Sequence, residues 1–303
     1  MPAAVFQGLF IASVSLLFIA MAFFIWAIIE PYILKIEYVR MFHRKEYAPF
    51  ERLSKDSSSS SVQKNPDLRI AFFSDLHGRG CRIKPNKLCD ALVSSAPDII
   101  VFGGDICQRG KSIEPGLNYL RYIANRASQL GIPCFAVRGN HDVLINSADF
   151  DSHGFHLLVN ETVIVKSKQS KDYLIIGMDD SGRKPRIYPT LPALPEDIPP
   201  KRRIAVVHNP DYIYTVGKND FLSMLSGHLH GGQIYLPFKL EYRLLRGDRL
   251  PMEGVNRGFF ERNGIRGYIS RGCGCVLFPL RLFSKPEVSI VDFDDDSEEE
   301  NGG

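Results

Sequence analysis

Five short clusters of side chains able to ligate metal recur along the 303 residues: Asp75-Leu76-His77, Gly104-Asp105, Gly139-Asn140-His141-Asp142, a single His208, and Gly227-His228-Leu229-His230. Carboxylate and amide oxygens mixed with imidazole nitrogen, and no thiolate among them, suit Mn, Fe, Zn or Co at a hydrolytic centre better than Ca or a structural zinc site. Two such cations about 3.5 to 4 Å apart lower the pKa of a water and clamp both oxygens of an in-line phosphoryl displacement. The chemistry implied is metal-dependent hydrolysis of phosphoesters, with Mn the first choice of ion. Each cluster alone is weak, because Gly-Asp is a common turn and a lone His is more often a hydrogen-bonded structural residue. All five in order, each after an apolar run, make a site. His43, His153 and His156 lack that context and read as ordinary.

The elements that must position these residues are strands. Residues 68–74, 99–102, 135–137 and 204–207 are short apolar runs, and each ends at one of the clusters. Strand alternation predicts that Asp75 and His77 project to one side, and Gly103-Gly104 allows the tight turn that points Asp105 back over its strand. Residues 87–95 and 115–129 have helical character with Gly131 as a stop, and further strand-like runs fall at 173–176, 268–270 and 288–291. Strands alternating with helices and then mostly strands indicate an α/β sandwich with mixed sheets.

The motif set D-x-H, G-D, G-N-H-D, H and G-H-x-H resembles the calcineurin-like metallophosphoesterases over roughly residues 69–293. The resemblance implies a four-layer α/β/β/α arrangement. It further implies one ion held by Asp75, His77 and His230, a second by Asn140, His208 and His228, and Asp105 bridging them. His141 would be the acid for the leaving group, and Asp142 its orienter. One departure is Gln108, where the family often has a second Asp.

The amino terminus carries the second signal. No charged side chain occurs before Glu30, and residues 9–29 are almost wholly apolar, long enough for the roughly 20 residues of a membrane-spanning helix. The run continues past Ala20-Met21-Ala22, which favours an uncleaved anchor over a signal peptide. Lys35, Arg40, Arg44 and Lys45 follow the span and no Lys or Arg precedes it, so the positive-inside tendency puts the following domain in the cytoplasm. Six cysteines, at 81, 89, 107, 134, 273 and 275, fit a reduced compartment without bridges. The expected division is an anchor at 1–30, a basic juxtamembrane segment and Ser-rich linker at 31–67, the catalytic domain at 68–291 and an acidic, disordered tail at 292–303. The segment 32–53 reads equally as a membrane-surface stretch or a solvated helical stalk. The formal charge of +3 hides the tail's acidic residues, without which the chain is near +10.

Gly227-His-Leu-His-Gly-Gly-Gln233, Ser270-Arg-Gly-Cys-Gly274 and Pro279-Leu-Arg-Leu-Phe283 are similar to the YaeI and YkuE group of membrane-associated bacterial phosphoesterases. Within it the anchored chain is most similar to LpxG-type UDP-2,3-diacylglucosamine pyrophosphatases. That likeness implies an inner-membrane enzyme of lipid A synthesis that takes a lipid-linked nucleotide, releases UMP and leaves 2,3-diacylglucosamine 1-phosphate. Lys239, Arg243, Arg246, Arg249, Arg257, Arg262 and Arg266 lie in a segment suited to phosphate and acyl chains, or equally in a solvated loop. No nucleic-acid motif accompanies them, so a nucleic-acid partner is not expected. A broader phosphodiesterase or phosphoprotein phosphatase, and a non-catalytic membrane scaffold, remain the alternatives.

Overall fold

The computed structural model describes residues 3–41, 50–53, 66–108, 110–180, 189–217, 220–235, 238, 240–245 and 247–294. Helix α1 (Ala3–Ile29) leads directly through a short 3-10 turn into β1 (Lys35–Met41) and β2 (Phe50–Leu53). Then follow β3 (Leu68–Phe73), α2 (Pro85–Val93), β4 (Ile99–Phe102), α3 (Ile113–Gln129), β5 (Cys134–Ala136), α4 (Ser147–Asp151) and β6 (His156–Leu157). The second half runs β7 (Glu161–Lys166), β8 (Asp172–Met178), β9 (Arg203–Val207), β10 (Ser223–Ser226), α5 (Leu240–Leu245), α6 (Arg249–Met252), β11 (Gly258–Arg262), β12 (Ile265–Ile269) and β13 (Glu287–Phe293).

Two mixed sheets result, ordered β2-β1-β13-β3-β4-β5-β6 and β11-β12-β10-β9-β8-β7. Their central strands are buried on both faces, and the strand sequences show it. Ile70 and Phe72 enter the core between the sheets, while Ala71 and Phe73 pack outward against the helices. Ile204 and Val206 likewise face the first sheet, whereas Ala205 and Val207 face α6 and the 3-10 segment Pro210–Tyr214. Period-two side-chain alternation in continuously apolar strands therefore builds three cores and four layers, α/β/β/α. Helix α3 presents Leu117, Leu120, Ile123, Ala124 and Ala127, spaced three or four apart, to the first sheet. It stops at Gly131, whose positive φ lets its amide turn back to Ser128.

The expected boundaries shift at both ends. Residues 35–41, read from sequence as juxtamembrane, are an inner strand that pairs with β13 in parallel and with β2 antiparallel. Described charges of these two segments are paired within the fold: Lys35 with Glu37, Arg40 with Asp294, and Asp292 with Arg69 of β3. Glu37 also takes a hydrogen bond from Arg271 at 2.9 Å. The Ser-rich stretch 57–61 and the tail beyond residue 294 lie outside the described residues. In chain order that stretch falls between β2 and β3, so it does not separate the anchor from the sheet. All six cysteines are free and buried.

Candidate metal centre

Every cluster lies beyond the carboxyl end of a strand: β3 before Asp75, β4 before Asp105, β5 before Asn140, β9 before His208 and β10 before His228. That edge is where α/β sheets ordinarily place ligands. The alternation argument for Asp75 and His77 does not hold. β3 ends at Phe73, and both residues lie in left-handed backbone, at φ 55° and 49°. Their amides are instead drawn toward the neighbouring loop, Asp75 N–H donating to Gly104 at 2.8 Å and His77 N–H to Asp105 at 3.0 Å. Asp105, His228 and His230 are also left-handed, so five of the seven expected ligands carry a strain of about 1–3 kcal/mol each. The rest of the fold holds that strain at one place.

Two ligand groups emerge. Asp75, His77 and His230 form one, and Asp105, His208 and His228 the other, with ligand atoms in each within 4.8 Å of one another. The groups adjoin, because His208 Nε2 is 3.1 Å from Asp105 Oδ2 and 3.9 Å from Asp75 Oδ1, and His77 Nε2 is 3.7 Å from Asp105 Oδ2. His77 and His230 face each other through their Nε2 atoms at 3.1 Å. The far nitrogens set the tautomers: His77 Nδ1 donates to the Cys107 carbonyl at 3.0 Å and His208 Nδ1 to the Gly103 carbonyl at 2.7 Å. Each ring thus turns an Nε2 lone pair inward, as a metal ligand must.

The electrostatics call for positive charge at this spot. Burial disfavours a charged His208, yet Asp105 and Asp75 outweigh it and raise this imidazole to about 10. Burial also works against an ionised Asp105, and the His208 and His77 rings still hold it well below the usual carboxylate range. His77, by contrast, is pulled down, chiefly by burial. Asn140 Oδ1 is a buried acceptor with no hydrogen-bond partner among the described residues, an expensive vacancy unless an ion or water takes it. Gly104 is needed at φ +94°, where a Cβ would stand 2.6 Å from Gly139 N and 2.8 Å from His208 Nδ1. At Gly227 a Cβ would stand 2.5 Å from Asp75 Oδ2. The donor set and the cradle fit two divalent ions.

His141 lies at the rim, half-buried, its ring edge-on to His77 at 5.2 Å between centroids. Its amide donates to Asp105 Oδ1 at 2.9 Å. Asp142 does not orient the His141 ring. Its carboxylate accepts backbone N–H groups from Asp105 at 2.7 Å, Ile106 at 2.9 Å, Cys107 at 3.3 Å and Gly139 at 3.0 Å. Burial and the Asp105 charge push its carboxyl up to about 7. The residue ties the β4 and β5 loops together beside the candidate ligand Asp105, a role its place beside His141 in the sequence disguised. At Gln108 the backbone closes a turn with Lys111.

Other supports were not legible as motifs. Asp248 Oδ1 lies 3.2 Å from His228 Nε2, and the only signal was another Gly-Asp pair, without an apolar run before it. Arg138 forks onto Asp179 at 2.7 and 3.0 Å, joining the ends of β5 and β8 beside Gly139. Ser284 Oγ donates to the His230 carbonyl at 2.7 Å. Within the basic segment, Arg249 and Arg262 pair with Glu253, and Arg266 with Glu261. Arg257 has no carboxylate partner among the described residues and donates to the Phe283 carbonyl at 2.6 Å. Lys239 and Arg246 lie outside the described residues.

A fold of this topology with ligands of this type defines a metallophosphoesterase, and comparison with known proteins agrees. The calcineurin-like phosphoesterase family model matches residues 68–244, and the chain belongs to that family. Among relatives, the metallophosphoesterase YkoQ of Bacillus subtilis is 29% identical over 231 residues, covering 74% of this chain and 82% of its own. The phosphodiesterase YaeI of Escherichia coli is 30% identical over 241 residues, covering 74% and 82%. The UDP-2,3-diacylglucosamine pyrophosphatase LpxG of Chlamydia muridarum is 25% identical over 290 residues, covering 74% and 83%.

Proposed function

We propose that this chain is a membrane-anchored two-metal phosphoesterase that hydrolyses the pyrophosphate of UDP-2,3-diacylglucosamine to UMP and 2,3-diacylglucosamine 1-phosphate. The observation that carries the reading is the adjoining pair of ligand groups around Asp75 and Asp105, set close to the end of a long apolar helix. Divalent ions at Asp75, His77 and His230, and at Asn140, His208 and His228, with Asp105 shared, would supply Lewis-acid polarisation and a water of lowered pKa. Manganese is the ion proposed.

The remaining steps belong to side chains. His141, at the rim, gives its proton to the departing phosphate oxygen, since an imidazole is the side chain that titrates near neutrality. The two Nδ1–H bonds keep His77 and His208 from turning, and Asp142 keeps Asp105 from retreating into its loop. Arg257, which makes no direct ion pair with a described carboxylate, offers a guanidinium for a substrate phosphate.

The anchor reading rests on Val5–Tyr32, an apolar helix whose most apolar stretch is not buried against the protein, although its last turn docks on the domain. Lys35 and Lys285 stand near its carboxyl end, which supports a cytoplasmic domain on a bacterial inner membrane. A substrate with two acyl chains in that membrane presents its pyrophosphate at the surface where the site sits. The test is to incubate the detergent-solubilised protein with UDP-2,3-diacylglucosamine, with and without Mn, and to follow nucleotides by mass. UMP appearing only with metal supports the proposal. Turnover of soluble phosphodiesters without UMP release would favour a broader phosphodiesterase, the activity named for the E. coli relative.

A further inference from the structure

The junction between α1 and the domain is built rather than loose. Glu30, 1% exposed, receives the amides of Phe283 at 3.0 Å and Ser284 at 2.5 Å. Arg281 N–H donates to the Ala27 carbonyl at 3.0 Å, inside the last turns of α1. The Arg281 side chain is wholly buried and gathers the carbonyls of Ser284, Arg271, Gly272 and Gly274, so the loop bearing it is stiff. Gln233 fixes the other limb through Val276 and Phe278. Phe283 packs edge-on against Phe23 at 5.9 Å, and Lys285 lies over the Trp26 ring at 5.9 Å.

From this stiff loop three large apolar side chains project outward: Leu277 is 75% exposed, Phe278 67% and Phe283 54%. Leu277 and Phe283 hold left-handed backbone, at φ 63° and 57°, a conformation bulky side chains avoid. Strain that exposes a hydrophobic group has no reason in water. Depth supplies the reason. Trp at the end of a span sits at the headgroup level, and Phe23 precedes Trp26 by three residues, about 4.5 Å further into the bilayer at the helical rise. Phe283, in contact with Phe23, shares that depth.

We infer that residues 277–283 form a second membrane-inserted element, a wedge of Leu277, Phe278 and Phe283 fixed to the end of α1, whose occupant is the lipid bilayer. The inference rests on the anchor reading above. Charge complements it: Arg257 and Lys285 stand beside the wedge, at the level of anionic headgroups. The consequence concerns the site. His230 is joined to Ser284, and Ser284 to Glu30, so two hydrogen bonds connect a candidate metal ligand to the end of the span. The metal centre is thus held at one height and one orientation over the headgroups, where a tether would let it drift.

The test uses the full chain in vesicles of phosphatidylethanolamine and phosphatidylglycerol. An environment-sensitive fluorophore is placed on Leu277→Cys, Phe278→Cys, Leu17→Cys in α1, or Leu130→Cys at the end of α3. The native cysteines are buried and spared, and a cooperative thermal unfolding transition like that of the wild type confirms that each variant folds. Doxyl-labelled lipids should quench positions 17, 277 and 278 by about half or more, with aqueous iodide reaching only position 130. Quenching at 17 with iodide access at 277 and 278 overturns the wedge and leaves the anchor standing. Iodide access at 17 removes the anchor, and the wedge with it.

Discussion

Replacing Asp142 separates two readings of the same residue. As the orienter of His141 it would affect rate and leave stability alone; as the acceptor of four buried amides it must do the opposite first. Asp142→Ala strands the N–H groups of Asp105, Ile106, Cys107 and Gly139. Each unsatisfied buried donor costs about 1–3 kcal/mol, and water entering the vacated space recovers part, so the lower end of the sum, about 4 kcal/mol, is expected. For a domain of this size that lowers Tm by about 8–16 °C. Asp142→Asn keeps one acceptor oxygen and turns an NH2 group toward amide N–H groups, for a loss of about 2–4 kcal/mol. His141→Ala is the comparator: it leaves a half-exposed position and lowers kcat by about 10²–10⁴ with under about 1 kcal/mol of stability. The assays are thermal unfolding of the full chain in detergent micelles and initial rates of UMP release from UDP-2,3-diacylglucosamine with Mn. An Asp142→Asn protein that melts like wild type while matching the rate loss of His141→Ala would refute the structural role.

Gly227→Ala pushes a methyl group to within 2.5 Å of Asp75 Oδ2, so metal binding and activity should both collapse, read by titration calorimetry with Mn and by rate. Asp248→Asn weakens the support of His228 and should lower metal affinity about 10–100-fold with the fold intact. Chelation should abolish activity and lower Tm; returning Mn at 100 times its Kd should restore about 2.7 kcal/mol, measured by denaturant unfolding. Glu30→Ala frees two amides that cap the junction and should lower stability by about 2–4 kcal/mol, with the loss seen by unfolding in micelles.

The strands that lead into the site, near 68–73, 99–102, 134–136 and 203–207, and the identity of the clustered residues were legible because both depend on local pattern: apolar runs that end in Asp, Asn or His. The helix at 113–129 was legible for the same reason, through apolar residues three and four apart. What sequence could not show is long-range pairing. Nothing local says that Arg40 meets Asp294 or Arg69 meets Asp292, so residues 35–41 looked like a basic surface segment and 292–294 like a free tail. Asp142 was misread because adjacency in sequence suggested contact with His141, whereas its carboxylate turns toward loops more than thirty residues away. The left-handed backbone at Asp75 and His77 is invisible to strand alternation, being set by bonds to the Asp105 loop.

The central claim is that Asp105 stands between two cations. Metal content of the purified full chain, measured by plasma mass spectrometry after loading with Mn and removal of excess, tests it most directly. Two ions per chain are expected, falling to about one when His208→Ala or His230→Ala removes a ligand from either group and to near zero in Asp105→Ala. A wild-type chain that retains none, or an Asp105→Ala chain that retains both, would contradict it.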